Sequence, residues 1–438
     1  MRRICLALPT NRPCAEAITA LHEEAAYAAE RFGAEVHLLV LDSCADAVRA
    51  EHAALVRELP RHDNVVKHHL GEAEQRDFLR RAITRSGADK PDLLLDLMLP
   101  DGLSYGACTN RAFLIAAALG CASVHRRDSD SRYQRVGGET VYPIHHELAT
   151  IGRPAREAAA HVTATDLDPR HLDKTVSLVG ASFIGEMSVD IAEMERIDPD
   201  TYHDVVGLWA PFDWPATRKR EFAADSFRGA GTTPFTADRA TLTLVDPMRV
   251  DMCNIAFHGV HEQVPLLPAT DTIGSDYFLI HLVYDATLPG VLHNRDIVNY
   301  YTGERRTDAG FAAYHLRFVK FLLSMLYLNV VYDRMAEAGA SLLDADGRVR
   351  TAAVAELLWE SSRLDTGDNV LRLDAVDRAY RRLGGRYALF ARSLADRRER
   401  LLDEARRAME DFALLTEVWP ALVGAAKATA VRTDAPPC

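Results

Sequence analysis

Gly106-Ala107-Cys108-Thr109-Asn110-Arg111, an apolar run to Gly120, then Ala122-Ser123-Val124-His125-Arg126-Arg127 and Asp128-Ser129-Asp130 follow closely on one another in this chain. The glycine opens a turn, the Ala- and Leu-rich run has the composition of a helix, and Gly120 stops it. A short strand comes next, with the acid-x-acid triplet at its carboxyl end. Alternate residues at a strand end can both point into a cleft, so two carboxylates there can share one hard divalent cation, Mg2+ or Mn2+. Such an ion neutralises a diphosphate, and the stretch has the outline of a metal and diphosphate site.

The triplet draws its meaning from that setting. Asp166-Leu167-Asp168, Asp198-Pro199-Asp200 and Asp344-Ala345-Asp346 repeat the pattern but sit in Pro- or Gly-marked segments and read as turns.

At 438 residues the chain exceeds the usual size of a single core, and two or three packed units are expected. A net charge of -12 leaves no basic surplus to replace phosphate counterions, which argues against a nucleic-acid partner. No stretch reaches the roughly 20 apolar residues of a membrane span. The nearest, Phe318 to Val331, is interrupted by Lys320, Ser324 and Asn329. The apolar start from Ile4 to Pro9 is too short for the core of a signal peptide. Cys5, Cys14, Cys44, Cys108, Cys121, Cys253 and Cys438 are scattered and odd in number, with no C-x-x-C pair. A reduced, cytoplasmic protein is expected, with most of these thiols acting as small buried hydrophobes.

Ile4 to Leu8 reads as a buried strand ending at Pro9-Thr10-Asn11-Arg12-Pro13, and Ala15 to Phe32 as a helix stopped by Gly33. Glu35 to Leu41 is a second strand ending at Asp42-Ser43, Asn64 to Leu70 a third, and Glu72 to Arg85 an amphipathic helix. Alternation of this kind predicts a parallel sheet with crossover helices, whose ligands bind outside the carboxyl ends of the strands. Thr175 to Gly185 reads as one further strand. Asp213 to Asp238 has weak periodicity and reads as a loop, either mobile over the site or plain surface.

Taken together, these segments and the D-x-D triplet resemble the glycosyltransferase A fold, an α/β architecture with a Rossmann-like mixed sheet flanked by helices. The resemblance implies a nucleoside-diphosphate sugar as donor, foremost a UDP-sugar, and Mn2+ or Mg2+ as cofactor. It implies that Asp128 and Asp130 hold the metal, that Pro9, Thr10, Asn11, Arg12 and Asp42 meet the nucleoside, and that Asn110, Arg111 and Ser129 stand near the diphosphate. On the residues alone, Asp42 reads equally well as a turn or N-cap residue. Further on, Met252 to Phe257, Val264-Pro265-Leu266-Leu267-Pro268 and Ile273-Gly274-Ser275-Asp276 follow the order of the family's acceptor half. Asp276 then takes the place of the catalytic acid, although many members carry two adjacent acids where this chain has Ser275-Asp276. In Leu288 to Arg295, the resemblance gives His293 to the metal shell and Arg295 to phosphate.

The expected organisation is a nucleotide-sugar half over 1–170, an acceptor and catalytic half over 171–306, a C-terminal helical appendage over 307–431 and a disordered tail over 432–438. Phe311 to Met335 and Ala352 to Val418 have helical spacing, with breaks at Gly339, Gly347 and Gly384-Gly385. Packing of Leu322, Met325, Leu326 and Trp359 against the core is the default reading of their apolar stripe; an acceptor, a membrane surface or a homodimer partner are its other possible occupants.

Other chemistries lack their motifs. His22-Glu23, His146-Glu147 and His261-Glu262 have Ala26, Thr150 and Pro265 where a zinc helix needs its second histidine. There is no G-x-S-x-G elbow and no P-loop. The expected activity is sugar transfer to a small-molecule, peptide or glycan acceptor, with inversion preferred over retention. A nucleotidyl or phosphosugar transferase on the same sheet and a non-catalytic nucleotide-sugar-binding protein are the rival readings.

Overall fold

In the run Ile4-Cys5-Leu6-Ala7-Leu8 every residue is buried, which requires cover on both faces of the strand. The computed structural model, which describes residues 1–300 and 307–432, supplies that cover. Its strands are β1 (Arg3–Thr10), β2 (Glu35–Asp42), β3 (Val65–Gly71), β4 (Ser123–Arg127), β5 (Ser131–Arg132), β6 (Arg135–Val136), β7 (Glu139–Thr140), β8 (Ala164–Thr165), β9 (Leu178–Gly180), β10 (Phe183–Gly185), β11 (Ala240–Thr243), β12 (Asn254–His258), β13 (Gly290–His293) and β14 (Ile297–Asn299). The main sheet has nine strands in the order β3-β2-β1-β4-β12-β9-β13-β11-β8. β3, β2, β1 and β4 are parallel, and β12 is antiparallel to both its neighbours, β4 and β9. The fold is therefore a Rossmann-like mixed sheet flanked by helices.

Helices α1 (Ala15–Phe32), α2 (Asp46–Glu58), α3 (Glu72–Ser86), α4 (Pro91–Met98) and α5 (Tyr105–Ala118) belong to the first half. α1 ends where expected, because Gly33 takes the left-handed conformation at φ 62° and its amide bonds Ala29 O. The run from Thr175 to Gly185 is not one strand. It divides at Ala181-Ser182 into β9, in the main sheet, and β10, which joins β14 and β5 in a separate three-stranded sheet. The segment from Asp213 to Asp238 is not wholly loop, since Ala216–Asp225 is helical.

The C-terminal region is helical as expected, over Asp308–Ala338, Thr351–Ser361, Gly367–Leu383, Gly385–Ala395 and Arg398–Lys427. One apolar cluster runs from Cys5 and Phe113 through Phe278 and Phe318 to Trp419, so these helices complete the core of the sheet. Leu322, Met325 and Leu326 are buried in it, while Trp359 is partly buried against it and donates to Glu417 (2.7 Å). The helical stretch Asp308–Leu342 is long and apolar enough to cross a membrane, but 72% of its most apolar window is buried inside the protein, which accounts for the hydropathy. Residues 301–306, which hold the end of the second expected unit, and residues 433–438 of the expected tail lie outside the described residues.

The three other acid-x-acid triplets are turn chemistry, as read. Asp168 and Asp198 cap the helical turns that follow them, and Asp344 accepts from the amides of Asp346 and Arg348 (both 2.9 Å).

Gly106 shows why the turn before α5 needs a glycine. A Cβ at this position would lie 1.9 Å from the carbonyl oxygen of Leu267. The flanking groups hold the same junction: Ser104 Oγ accepts from the Ala107 amide and donates to Pro268 O (both 3.1 Å), and Ser275 Oγ accepts from the Gly106 amide (3.2 Å). Gly106→Ala must push α5 away from this segment. Thermal or denaturant unfolding should show a loss of about 1–3 kcal/mol, the usual range for overpacking, and an unchanged midpoint would contradict the close approach.

Candidate functional site

The carboxyl ends of β1 and β4 and the amino-terminal end of antiparallel β12 meet at one cleft of about 360 Å³. Pro9, Thr10, Asn11 and Arg12 line it from the β1 turn, Asp128, Ser129 and Asp130 from the end of β4, Arg111 from α5, and Asp276 from the segment after Gly274. Thr10 closes its turn locally, its Oγ1 donating to Arg12 O (3.0 Å) and accepting from the Arg12 amide (3.3 Å).

The pleat of β4 separates two charge systems. Arg126 reaches the cleft, where its guanidinium stands between Asp128 (3.0 Å) and Asp276 (2.5 Å). Arg12 likewise holds Asp130 (2.8 Å). Burial, together with Asp130 and Asp276 and against the pull of Arg126, pushes the Asp128 carboxyl up to about 6. Arg111 is bound at two nitrogens, Nε donating to Gln75 Oε1 (2.7 Å) and one Nη to Met98 O (2.6 Å). No acid pairs with it among the described residues, and burial lowers its pKa.

His125 and Arg127, one residue to either side of Arg126, alternate onto the opposite face. There His125 Nδ1 meets Glu147 (2.6 Å), and Arg127 meets Glu24 (2.9 Å) and Glu147 (3.0 Å), all fully buried. Burial alone would raise the Glu147 carboxyl, but Arg127 and the bond to His125 outweigh it and hold the group down to about 2. A carboxylate lowered in this way stabilises the fold above its unfolded value and loses that contribution as pH falls through the folded one. Glu147→Gln should therefore lower stability at neutral pH by about 3–5 kcal/mol, the effect of breaking a buried pair. Its denaturant midpoint should also fall less steeply than that of the parent below roughly pH 5. Equal acid slopes would remove Glu147 from this role.

Four residues expected in the site are not in it. Asp42 is fully buried beside the cleft, its Oδ2 shared by His52 and His69 (both 2.9 Å) and its Oδ1 accepting from the Cys44 amide (2.9 Å). Leu41 and Ser43 line the cleft in its place, because a strand end turns alternate residues inward. Asn110 clamps the backbone of Leu266 from both sides, at 2.8 Å each, and is fully buried outside the cleft lining. His293 is buried away from the cleft and stacks on His146 with ring centres 5.4 Å apart. Arg295 forms a paired contact with Asp238 (2.7 and 2.9 Å) and donates to Tyr142 O (3.0 Å). The register explains His293: across β12 and β9, Leu292 stands level with Arg126, so His293 alternates with Arg127 onto the face opposite the cleft.

Other cleft residues carried no motif. Asp251 lines the cleft just before β12, with both oxygens occupied by the Tyr277 and Ser182 hydroxyls, and burial raises its pKa. Arg126 itself had one available signal, an arginine two residues before an acid on a strand. Tyr314, Phe321, Met325, Leu328 and Tyr332 of the helix Asp308–Ala338 form another wall.

Two sets of groups suit a cation. Asp42, Cys44 and His52 are a candidate metal-binding triad, all buried, with ligand atoms within 4.8 Å of one another. Here Asp42 is already bonded to two histidines, His52 Nε2 accepts from the Cys14 amide (3.1 Å), and burial beside Asp42 drives the Cys44 thiol far up, so protons must leave before an ion enters. In the cleft, Asp128 and Asp130 offer the all-oxygen donor set that Mg2+ or Mn2+ prefers. Arg12 and Arg126 contact these acids, so an ion entering there shares or displaces those contacts. Those residues fit such an ion.

A Rossmann-like mixed sheet with a carboxylate-lined cleft at its strand ends, a candidate metal-binding triad beside it and helices closing one side defines the class of the protein. The chain belongs to the family of unknown function DUF6271, whose model matches residues 2–435. No curated protein matches the sequence significantly. Among solved structures, a mannosyltransferase from Pyrobaculum calidifontis, PcManGT, in complex with GDP-Man and Mn2+, is similar over 95% of this chain and 88% of its own, at 13% identity and a TM-score of 0.36. A likeness that remote transfers neither substrate nor mechanism.

Proposed function

We propose that this protein is a metal-dependent glycosyltransferase that moves a sugar from a nucleoside-diphosphate donor, foremost a UDP-sugar, to an acceptor hydroxyl. One observation carries the reading: the β1 turn, Asp128 and Asp130, Asp276 and Arg111 line a single cleft at the strand ends. A buried guanidinium held by neutral acceptors keeps its charge for a phosphate oxygen, which its remaining nitrogen can meet with charge-assisted hydrogen bonds.

Asp128 and Asp130 are the residues that would hold the cation, and a bound Mg2+ or Mn2+ supplies charge neutralisation at the leaving diphosphate. Asp276 engages Arg126 through one oxygen, and its other oxygen has no protein partner among the described residues. That oxygen, in this reading, takes a proton from the acceptor. In this reading the acceptor oxygen bonds the anomeric carbon while the carbon's bond to the diphosphate oxygen breaks. The nucleoside diphosphate leaves with the electron pair, and the acceptor proton passes to Asp276. A single displacement of this kind inverts the anomeric centre.

The test is a thermal-shift series with UDP-, GDP- and dTDP-sugars, with and without Mn2+, followed by product analysis. One donor should raise the midpoint only when metal is present, as mass action requires of a specific ligand, and turnover should release nucleoside diphosphate. Pyrophosphate as the product would favour the nucleotidyltransferase reading instead, and a series without any shift would defeat both.

A further inference from the structure

The cleft is not polar throughout. Trp209 stacks on Phe227 with ring centres 4.9 Å apart, and Phe321 meets these rings at 5.5 and 6.1 Å. Met325 and Leu328 follow Phe321 at spacings of four and three residues on the helix Asp308–Ala338, so they continue its face, and all five side chains line the cleft. The apolar wall begins beside the acids: a Cβ on Gly274, two residues before Asp276, would lie 2.8 Å from the Phe321 ring. Phe227 keeps a left-handed backbone at φ 64°, a conformation costly for an aromatic residue and one that tends to persist at binding sites. Further along, His281 and Tyr332 stack with ring centres 3.8 Å apart; both line the cleft, and neither makes a hydrogen bond to the described residues. Burial pushes the His281 imidazole down to about 3, so it is neutral.

We propose that this aromatic lobe binds the acceptor, and that the acceptor is an uncharged, planar apolar molecule carrying a hydroxyl. The proposal rests on the glycosyltransferase reading for the word acceptor, but the binding it predicts does not. Rings and a thioether supply stacking and apolar area, while the unpartnered groups of His281 and Tyr332 serve one or two neutral polar atoms. A glycan, with a hydroxyl on nearly every carbon, would leave most of them without partners against these walls. A charged peptide would meet the same cost more severely. The lobe opens beside Asp276, so a hydroxyl at the edge of a planar ligand lies toward the carboxylate that would receive its proton.

The experiment titrates 2-naphthol, and separately cellobiose, into the full chain by calorimetry with neither metal nor nucleotide present. We expect saturable one-to-one binding of 2-naphthol and none of cellobiose. Phe321→Ala should weaken naphthol binding by about tenfold or more, the scale of one stacked ring, and Met325→Gln, which keeps the side-chain length, serves as the second variant where the first does not fold. Absence of naphthol binding, unchanged affinity in the variant that folds, or cellobiose binding instead would each overturn the proposal. Naphthol binding in a protein that no nucleotide sugar stabilises would retain the lobe and defeat the transferase reading. Donor turnover without naphthol binding would do the reverse.

Discussion

Asp128→Asn abolishes metal-dependent donor binding without lowering the melting temperature of the protein in the absence of metal. The first half of this expectation follows from the donor set: an amide oxygen carries no charge, and a hard divalent cation held by two carboxylates loses half of its protein charge. Donor turnover should fall by about 10^2-fold or more, the scale seen when one group that stabilises developing charge is removed. The second half follows from burial. The Asp128 carboxyl is pushed from its ordinary value up to about 6 in the folded protein. A carboxyl raised in this way favours the fold below its unfolded pKa, and that contribution is lost as pH rises through about 6. At pH 7 and above the ionised side chain is therefore a cost that Asn does not carry, and the melting temperature should hold or rise. Calorimetry with Mn2+ and a nucleotide sugar, beside thermal unfolding, measures both. A variant that binds donor and metal as the parent does would remove Asp128 from the metal site, and a large drop in melting temperature would make it a structural acid.

For Asp276→Asn the expected loss lies in transfer, not in donor binding. The substitution keeps the shape and a hydrogen-bond acceptor for Arg126, while the oxygen facing the cleft can no longer accept a proton as a base. Transfer should fall by about 10^2-fold or more, and the donor-induced thermal shift should persist. A parallel loss of donor binding would move Asp276 into the donor's own contacts through Arg126, which it shares with Asp128. Wild-type turnover would leave the cleft without its proposed base.

The local elements were open to reading because short-range chemistry dictates them. Buried strands such as Ile4 to Leu8 announce themselves by unbroken apolar runs, Gly33 by its place after an amphipathic helix, and Gly106 by its place before one. The β1 turn and the Asp128 triplet come to the same cleft for a reason also present in the sequence, since parallel strands bring their carboxyl ends to one side. Asn110 and Ser275 were visible as motif residues, but their work is to clamp α5 to the segment before Asp276. A side chain that holds a backbone and one that holds a phosphate look alike when only their positions in a motif are known.

What the sequence determined by itself was therefore the strands β1 to β4 with the helices α1, α3 and α5 between them, the turn at Pro9 to Arg12 and the carboxylates at the end of β4. Each depends on neighbours within a few residues, or on the sidedness of parallel strands. Tertiary structure alone decided the rest. Strand pairing kept His293 and Arg295 out of the cleft, and the packing of α2 and β3 on β2 committed Asp42 to His52 and His69. It set Arg126 between Asp128 and Asp276, which stand 148 residues apart in the chain. It also brought the aromatic face of the helix Asp308–Ala338 against the same site. Pairing register and helix docking are fixed by contacts between distant segments, and no local periodicity records which distant segment a face will meet.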